Sequence, residues 1–221
     1  MMRNLLRNSA DFRRDNSLAL KLRLKRIALF KELISPLPKP LTILDVGGTE
    51  IFWERMGFAR DKNVKITLLN LSQIETHGPW FKTALGDARN MHQFGDADFD
   101  VVFSNSVIEH VGGYEDQKQM AKEVQRIGKR YFLQTPNFYF PFEPHFLFPF
   151  FQFFPLWLKV FLLRHFRLGW YDKIPDKGEA IKTANSVRLL KKEELKELFP
   201  GAVIYDEKFG GLTISFIVYM W

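Results

Sequence analysis

The chain has 221 residues, 46% of them hydrophobic and 26% charged, enough for one α/β domain with a full core. It has no cysteine, which excludes disulfides and thiolate metal sites and fits a reducing, cytoplasmic setting. The net charge of +7 resides in residues 1–40, which hold ten Lys/Arg and three acids, whereas the rest has 22 of each sign. The basicity therefore belongs to an N-terminal arm and not to the body of the protein. Such an arm suits nucleic acid or an anionic membrane surface, or it is simply a solvated amphipathic helix. No clean apolar run follows the first basic residues, so a secretory leader is not expected. No uncharged apolar stretch reaches the roughly 18 residues of a spanning helix.

In chain order, residues 1–16 are polar and expected to lack regular structure. From Ser17 the pattern turns helical, with Leu18, Leu22, Ile27, Leu29 and Leu33 among Lys and Arg, and Ser35-Pro36 ends it. Pro36, Pro38 and Pro40 make a stiff connector. Residues 41–46 read as a buried strand closed by Gly47-Gly48, with a short helix from Ile51 to Met56. Further strands are expected at 65–71, just before Gly86-Asp87, at 99–104 and at 129–134, with a helix from Gln117 to Ile127. After a long aromatic segment come a helix at 191–199 and strands at 203–206 and 213–219. Strands alternating with helices imply parallel βαβ units. The expected fold is a doubly wound, mostly parallel seven-stranded sheet with an antiparallel final hairpin, an N-terminal helix, and a helical insertion at about 137–182 of the 41–221 domain.

Ligands of open α/β sheets bind beyond the carboxyl ends of the strands. Unusual residues occupy those ends: Asp45-Val-Gly47-Gly48-Thr49, then Asn70-Leu71, then Gly86-Asp87-Ala88, then Ser104-Asn105, then Gln134-Thr135-Pro136. Five strand ends converging on one cleft weigh more than any one motif. A dinucleotide site is a poor match, because it wants Gly-x-Gly-x-x-Gly and an acid on the second strand.

The segment Ile43-Leu-Asp-Val-Gly-Gly-Thr49 resembles the first motif of class I S-adenosylmethionine-dependent methyltransferases. Gly86-Asp87-Ala88 is similar to their adenine-contacting motif, and Phe99-Asp-Val-Val-Phe-Ser-Asn-Ser-Val-Ile-Glu-His-Val111 to their fourth, chiefly in small-molecule members. The resemblance implies S-adenosylmethionine as cofactor, bound by Asp45, Gly47, Gly48, Thr49, Asn70, Leu71, Asp87, Ala88, Ser104 and Asn105. Glycines let the backbone approach the cofactor closely. Asp45 would hold its ammonium, directly or through water. Asp87 would accept the adenine amino proton, while the Ala88 N–H faces a ring nitrogen. Two departures stand out: Asn70 replaces a ribose-binding carboxylate, and Thr49 and Ile51 replace frequent glycines.

Methyl transfer from a sulfonium is an in-line displacement, so the protein chiefly aligns acceptor and methyl in a dry pocket. A base matters only where the acceptor carries a proton to lose. Candidates are His110, Glu143 and His145, with Glu109 beside them. Glu143 and His145 alone are too few ligands to predict a metal site. Ser104-Asn105-Ser106-Val107 lacks the Asn/Asp-Pro-Pro-aromatic pattern of nucleobase amino methylation, so nucleic acid is not the favoured acceptor. A small-molecule, glycan or lipid-like acceptor is expected, with oxygen slightly favoured.

The stretch from Phe138 to Tyr171 holds fifteen aromatic residues, with Lys159, Arg164 and Arg167 in its second half. It reads as a lid over the acceptor pocket, as a peripheral membrane contact, or as a homodimer surface. A different overall reading is a catalytically idle Rossmann-like module at membrane surfaces, motivated by Asn70 and the irregular glycine loop.

Overall fold

The structure is a computed structural model that describes residues 7–58 and 61–221. Residues 1–6, part of the expected irregular arm, lie outside the described residues. A helical turn forms at 7–10, where no regular structure was expected. Helix α1 spans Leu18–Ile34, and the Ser17 side chain caps it by accepting from the Leu20 N–H at 3.1 Å. Its buried face is Leu20, Arg26, Ile27, Phe30 and Ile34; of the expected stripe Ile27 is fully buried, Leu29 and Leu33 pack partly buried on the same core, and Leu18 and Leu22 are not buried. The arm is thus partly a core helix.

Strand β1 (Leu41–Val46) leads into the short helix α2 (Glu50–Trp53), followed by β2 (Val64–Asn70), β3 (Phe81–Leu85) and β4 (Val101–Asn105). Helix α3 (Tyr114–Ile127) and β5 (Tyr131–Pro136) follow. A small antiparallel pair, β6 (Phe142–Glu143) and β7 (Phe148–Pro149), opens the aromatic segment, which continues with α4 (Leu156–His165) and α5 (Lys177–Ala184). Helix α6 (Lys192–Leu198) precedes β8 (Val203–Phe209) and β9 (Leu212–Met220).

The sheet runs β3-β2-β1-β4-β5-β9-β8, parallel through β5, with β9 antiparallel to both neighbours. This is the expected doubly wound arrangement. Strand alternation divides the core between two faces. Leu41 and Ile43 pack with Phe30, Trp53 and Phe103 under α1 and α2, while Leu44 and Val46 pack with Met120, Val124 and Leu195 under α3 and α6. Asp45 falls on the α1–α2 side, which decides its partners. Strands β4 and β5 start and end later than the sequence suggests, so Asn105, Thr135 and Pro136 are strand residues rather than loop residues.

Candidate active site

The loop after β1 is built around a buried carboxylate. Asp45 is 1% exposed, and its Oδ2 accepts from Trp53 Nε1 at 2.6 Å. Gly48 lies over the carboxylate: a Cβ there would sit 1.5 Å from Asp45 Oδ2. Gly47 has φ of +77°, and a Cβ there would press on Val107 at 2.6 Å. Both glycines are therefore dictated by close approach. Asp45 lies beneath this loop rather than at the open surface of the cleft.

Burial pushes the Asp45 carboxyl up to about 7, against the opposing bond from Trp53. The unfolded value is 3.8. The native state thus keeps a proton that the unfolded chain has lost over the interval between. Its stabilising contribution is complete below pH 4 and disappears as pH rises through 7. At about 1.4 kcal/mol per pH unit the loss is on the order of 4 kcal/mol. Asp45→Asn keeps an oxygen for Trp53 and cannot ionise. Its melting temperature should approach the wild-type value at pH 5 and exceed it at pH 8. Parallel melting curves across that range would contradict the assignment.

The remaining sites surround this loop. The Asn70 amide donates to the Gly48 carbonyl at 3.0 Å, tying the end of β2 to the loop and leaving its own oxygen as the acceptor. Leu71 is 78% exposed just beyond. Asp87 accepts from its own Arg89 side chain at 2.6 and 3.0 Å, and this guanidinium holds the carboxyl below its ordinary range. Ala88 is buried behind it. Thr49 opens α2 without a side-chain cap bond. The Ser104 hydroxyl is buried and lies 3.4 Å from the Val46 carbonyl.

Asn105 faces elsewhere. Its oxygen accepts from Arg26, which also donates to Gln134 Oε1 at 3.0 Å and to Glu207 Oε2 at 2.7 Å. The amide end of β4 is thereby engaged by α1, not turned freely toward the loop. Arg26 and Glu207 are 6% exposed each and form a buried ion pair. Nothing in the sequence marks Arg26 among the neighbouring cations.

Past β4 and β5 the expected acid–base residues do meet. His145 Nδ1 lies 2.7 Å from Glu143 Oε1, and Glu143 Oε2 accepts from the Phe146 N–H at 2.6 Å. The His110 and His145 rings pack edge-to-face at 4.7 Å. Glu109 is fully buried and accepts from Thr135 Oγ1 at 3.0 Å. Its other oxygen lies 3.8 Å from His145 Nε2. Burial opposes charge on His145, but Glu143 and Glu109 outweigh it and raise its pKa. Burial lowers that of His110.

The aromatic segment adjoins this cluster. Phe146, Phe151, Val160, Leu163 and Ala180 form its own small core. Phe146 and Phe151 of this core join Phe138, Gln152, Lys159 and Arg188 in walling a pocket of about 320 Å³ that includes Glu143. Its outer side leaves Trp157 70% exposed, with Phe150, Phe161 and Phe166 also exposed. Among the described residues no helix is long and apolar enough to cross a membrane.

Residues 45–131 match the family model of a methyltransferase domain. No curated protein matches the chain in sequence. Among solved structures, the CurJ carbon methyltransferase superposes with a TM-score of 0.58 at 13% identity, covering 93% of this chain and 55% of that one. The 1,6-didemethyltoxoflavin-N1-methyltransferase of Burkholderia thailandensis, solved with 1,6-didemethyltoxoflavin and S-adenosylhomocysteine, gives 0.52 at 13% identity, covering 90% and 76%. A Rhodobacter sphaeroides protein assigned to the Zn-dependent alcohol dehydrogenases gives 0.51 at 13% identity, covering 86% of each chain. Such low identities establish the fold alone. The methyltransferase-domain match begins at Asp45. The chain spans 46% and 55% of the first two solved chains it matches, about half their length.

Proposed function

We propose that this chain, which belongs to the class I S-adenosylmethionine-dependent methyltransferases, methylates a small-molecule, glycan or lipid-like acceptor, with oxygen the favoured atom. The observation that carries this reading is the adjacency of two features: the Asp45–Thr49 loop abuts Val107, and two residues later Glu109 begins the carboxylate–histidine cluster beside the aromatic-walled pocket. Cofactor and acceptor would meet between them. Asn70 Oδ1 is proposed to accept from a ribose hydroxyl without charge assistance. Asp87 and Ala88 are proposed for adenine. Asp45 is proposed to act on the cofactor ammonium through the loop above it.

In the reaction the acceptor oxygen attacks the methyl carbon in line with sulfur. A C–O bond forms, the C–S bond breaks, and its electron pair leaves neutral S-adenosylhomocysteine. The acceptor's proton must leave, and the Glu109–His110–Glu143–His145 cluster is where that charge would be managed. Oxygen is favoured for this reason, since a hydroxyl needs such help more than an amine. The pocket volume, at the lower end of ligand sites, suits a compact acceptor or one end of a longer one. Phe138, Phe146 and Phe151 offer it apolar walls, and Lys159 and Arg188 offer cations. The Burkholderia thailandensis enzyme, solved with 1,6-didemethyltoxoflavin bound, supports a small-molecule acceptor by analogy. The fully buried Glu109 and its neighbour His145 also argue against an idle module.

The test is transfer of label from methyl-tritiated S-adenosylmethionine into a fractionated extract. Label should enter the small-molecule or organic-soluble fraction. Label confined to protein or nucleic acid would overturn the acceptor class.

A further inference from the structure

Glu109 poses a problem that a base role leaves open. It is fully buried, and its Oε1 has no hydrogen-bond partner among the described residues. An unpaired buried carboxylate oxygen is costly. The group facing it is His145 Nε2, at 3.8 Å, too far for a hydrogen bond. His145 Nδ1 is already committed to Glu143 at 2.7 Å. Glu109 Oε1 and His145 Nε2 therefore face each other across a gap that no hydrogen bond spans.

His110 closes the third side. One ligand atom from each of Glu109, His110 and His145 falls within 4.8 Å of the others. The His110 Nδ1 lies 3.4 Å from the Ser186 carbonyl, leaving Nε2 as the nitrogen for a ligand. We propose that Glu109, His110 and His145 bind one divalent transition-metal ion of the zinc class, which holds the acceptor oxygen beside the methyl group. The inference rests on the methyltransferase reading above.

Three arguments support it. First, bonds of about 2.0–2.2 Å at a tetrahedral angle put donor atoms about 3.4 Å apart, so small side-chain rotations close the present spacing onto an ion. Second, the surroundings are those of metal-ligating histidines. Glu143 orients His145 through Nδ1 and is itself fixed by the Phe146 N–H, while Thr135 fixes the other oxygen of Glu109. Third, two imidazoles and one carboxylate suit zinc, iron or cobalt, whereas magnesium prefers oxygen ligands. Glu143 and His145 alone are too few ligands to predict a metal site from the sequence. The structure moves Glu143 to the supporting position and supplies Glu109 and His110.

The chemistry follows. A metal-bound hydroxyl is more acidic, as a metal-bound water is. Its proton can pass to solvent before the oxygen attacks the sulfonium methyl. His145 then serves as a ligand instead of the base.

Untagged full-length protein dialysed against zinc should retain one equivalent by elemental analysis. Calorimetry should show that Glu109→Gln and His145→Asn weaken zinc binding at least about 100-fold, and Glu143→Gln about 10–100-fold. On zinc titration, the ring-nitrogen resonances of His110 and His145 should shift together. Absence of stoichiometric zinc, unchanged affinity in His145→Asn, or a His145 ring that keeps protons on both nitrogens with zinc present would overturn the proposal. S-adenosylhomocysteine binding measured on the same samples separates the failures. Its presence without zinc binding rejects the metal alone, and its absence rejects the methyltransferase reading itself.

Discussion

Gly48→Ala should lower the melting temperature by about 5–10 °C and weaken S-adenosylhomocysteine binding at least about 100-fold. The added Cβ would sit 1.5 Å from Asp45 Oδ2 and 2.0 Å from its Cγ. Neither atom can yield easily. Asp45 is buried and bonded to Trp53, which is itself fully buried against Phe30, Phe58 and Phe103. Overpacking of this kind costs about 1–3 kcal/mol, and each kcal/mol moves the transition about 2–4 °C in a domain of this size. Because Asn70 also grips the Gly48 carbonyl, the displacement reaches the end of β2 as well. A variant that melts within about 1 °C of wild type and binds normally would show that the loop is not built on this contact.

Arg26→Met should cost still more, about 3–5 kcal/mol, because it strands the Glu207 carboxylate in the interior. Arg26 is the shared donor for Asn105, Gln134 and Glu207, and Ser215 also donates to Glu207. One side chain from α1 thus binds the ends of β4 and β5 to the final hairpin. Adding Glu207→Gln removes the stranded charge and should recover at least about 1 kcal/mol. Chemical denaturation of the two single variants and the double variant gives this coupling directly. Strictly additive losses would show that the pair is not a unit.

Much of the architecture is legible in the sequence because it rests on local signals. Strand β1 is an apolar run between Pro40 and Gly47, and its expected span matches the structure. Strand β3 is weaker, with only Phe81 buried, and Gly86-Asp87 was the signal that located it. The buried face of α1 is only partly legible, through Ile27, because Leu18-Ala-Leu-Lys-Leu-Arg-Leu24 is apolar on several sides and spacing alone does not choose among them. Packing against β1 and β4 selects Leu20, Ile27, Phe30 and Ile34.

The candidate site divides in the same way. Loop glycines and strand-end polar residues have sequence signatures. Their contacts do not. That Asp45 faces α2 rather than the open cleft depends on which face of the sheet the odd residues of β1 take. Glu109 meets His145 only because β4 and β5 lie side by side and the chain then folds back through the small β6–β7 pair. The Arg26 network joins residues up to 181 positions apart, and no spacing rule reaches that far.

The loop from Asp45 to Thr49 is proposed to hold S-adenosylmethionine. Calorimetric titration of S-adenosylhomocysteine into untagged wild-type protein and into Gly48→Ala tests it most directly. Wild type should bind at one site per chain, about −8 kcal/mol for affinity in the micromolar range, and the variant should lose that binding. No binding heat in wild type at millimolar ligand, or equal affinity in both proteins, would contradict it.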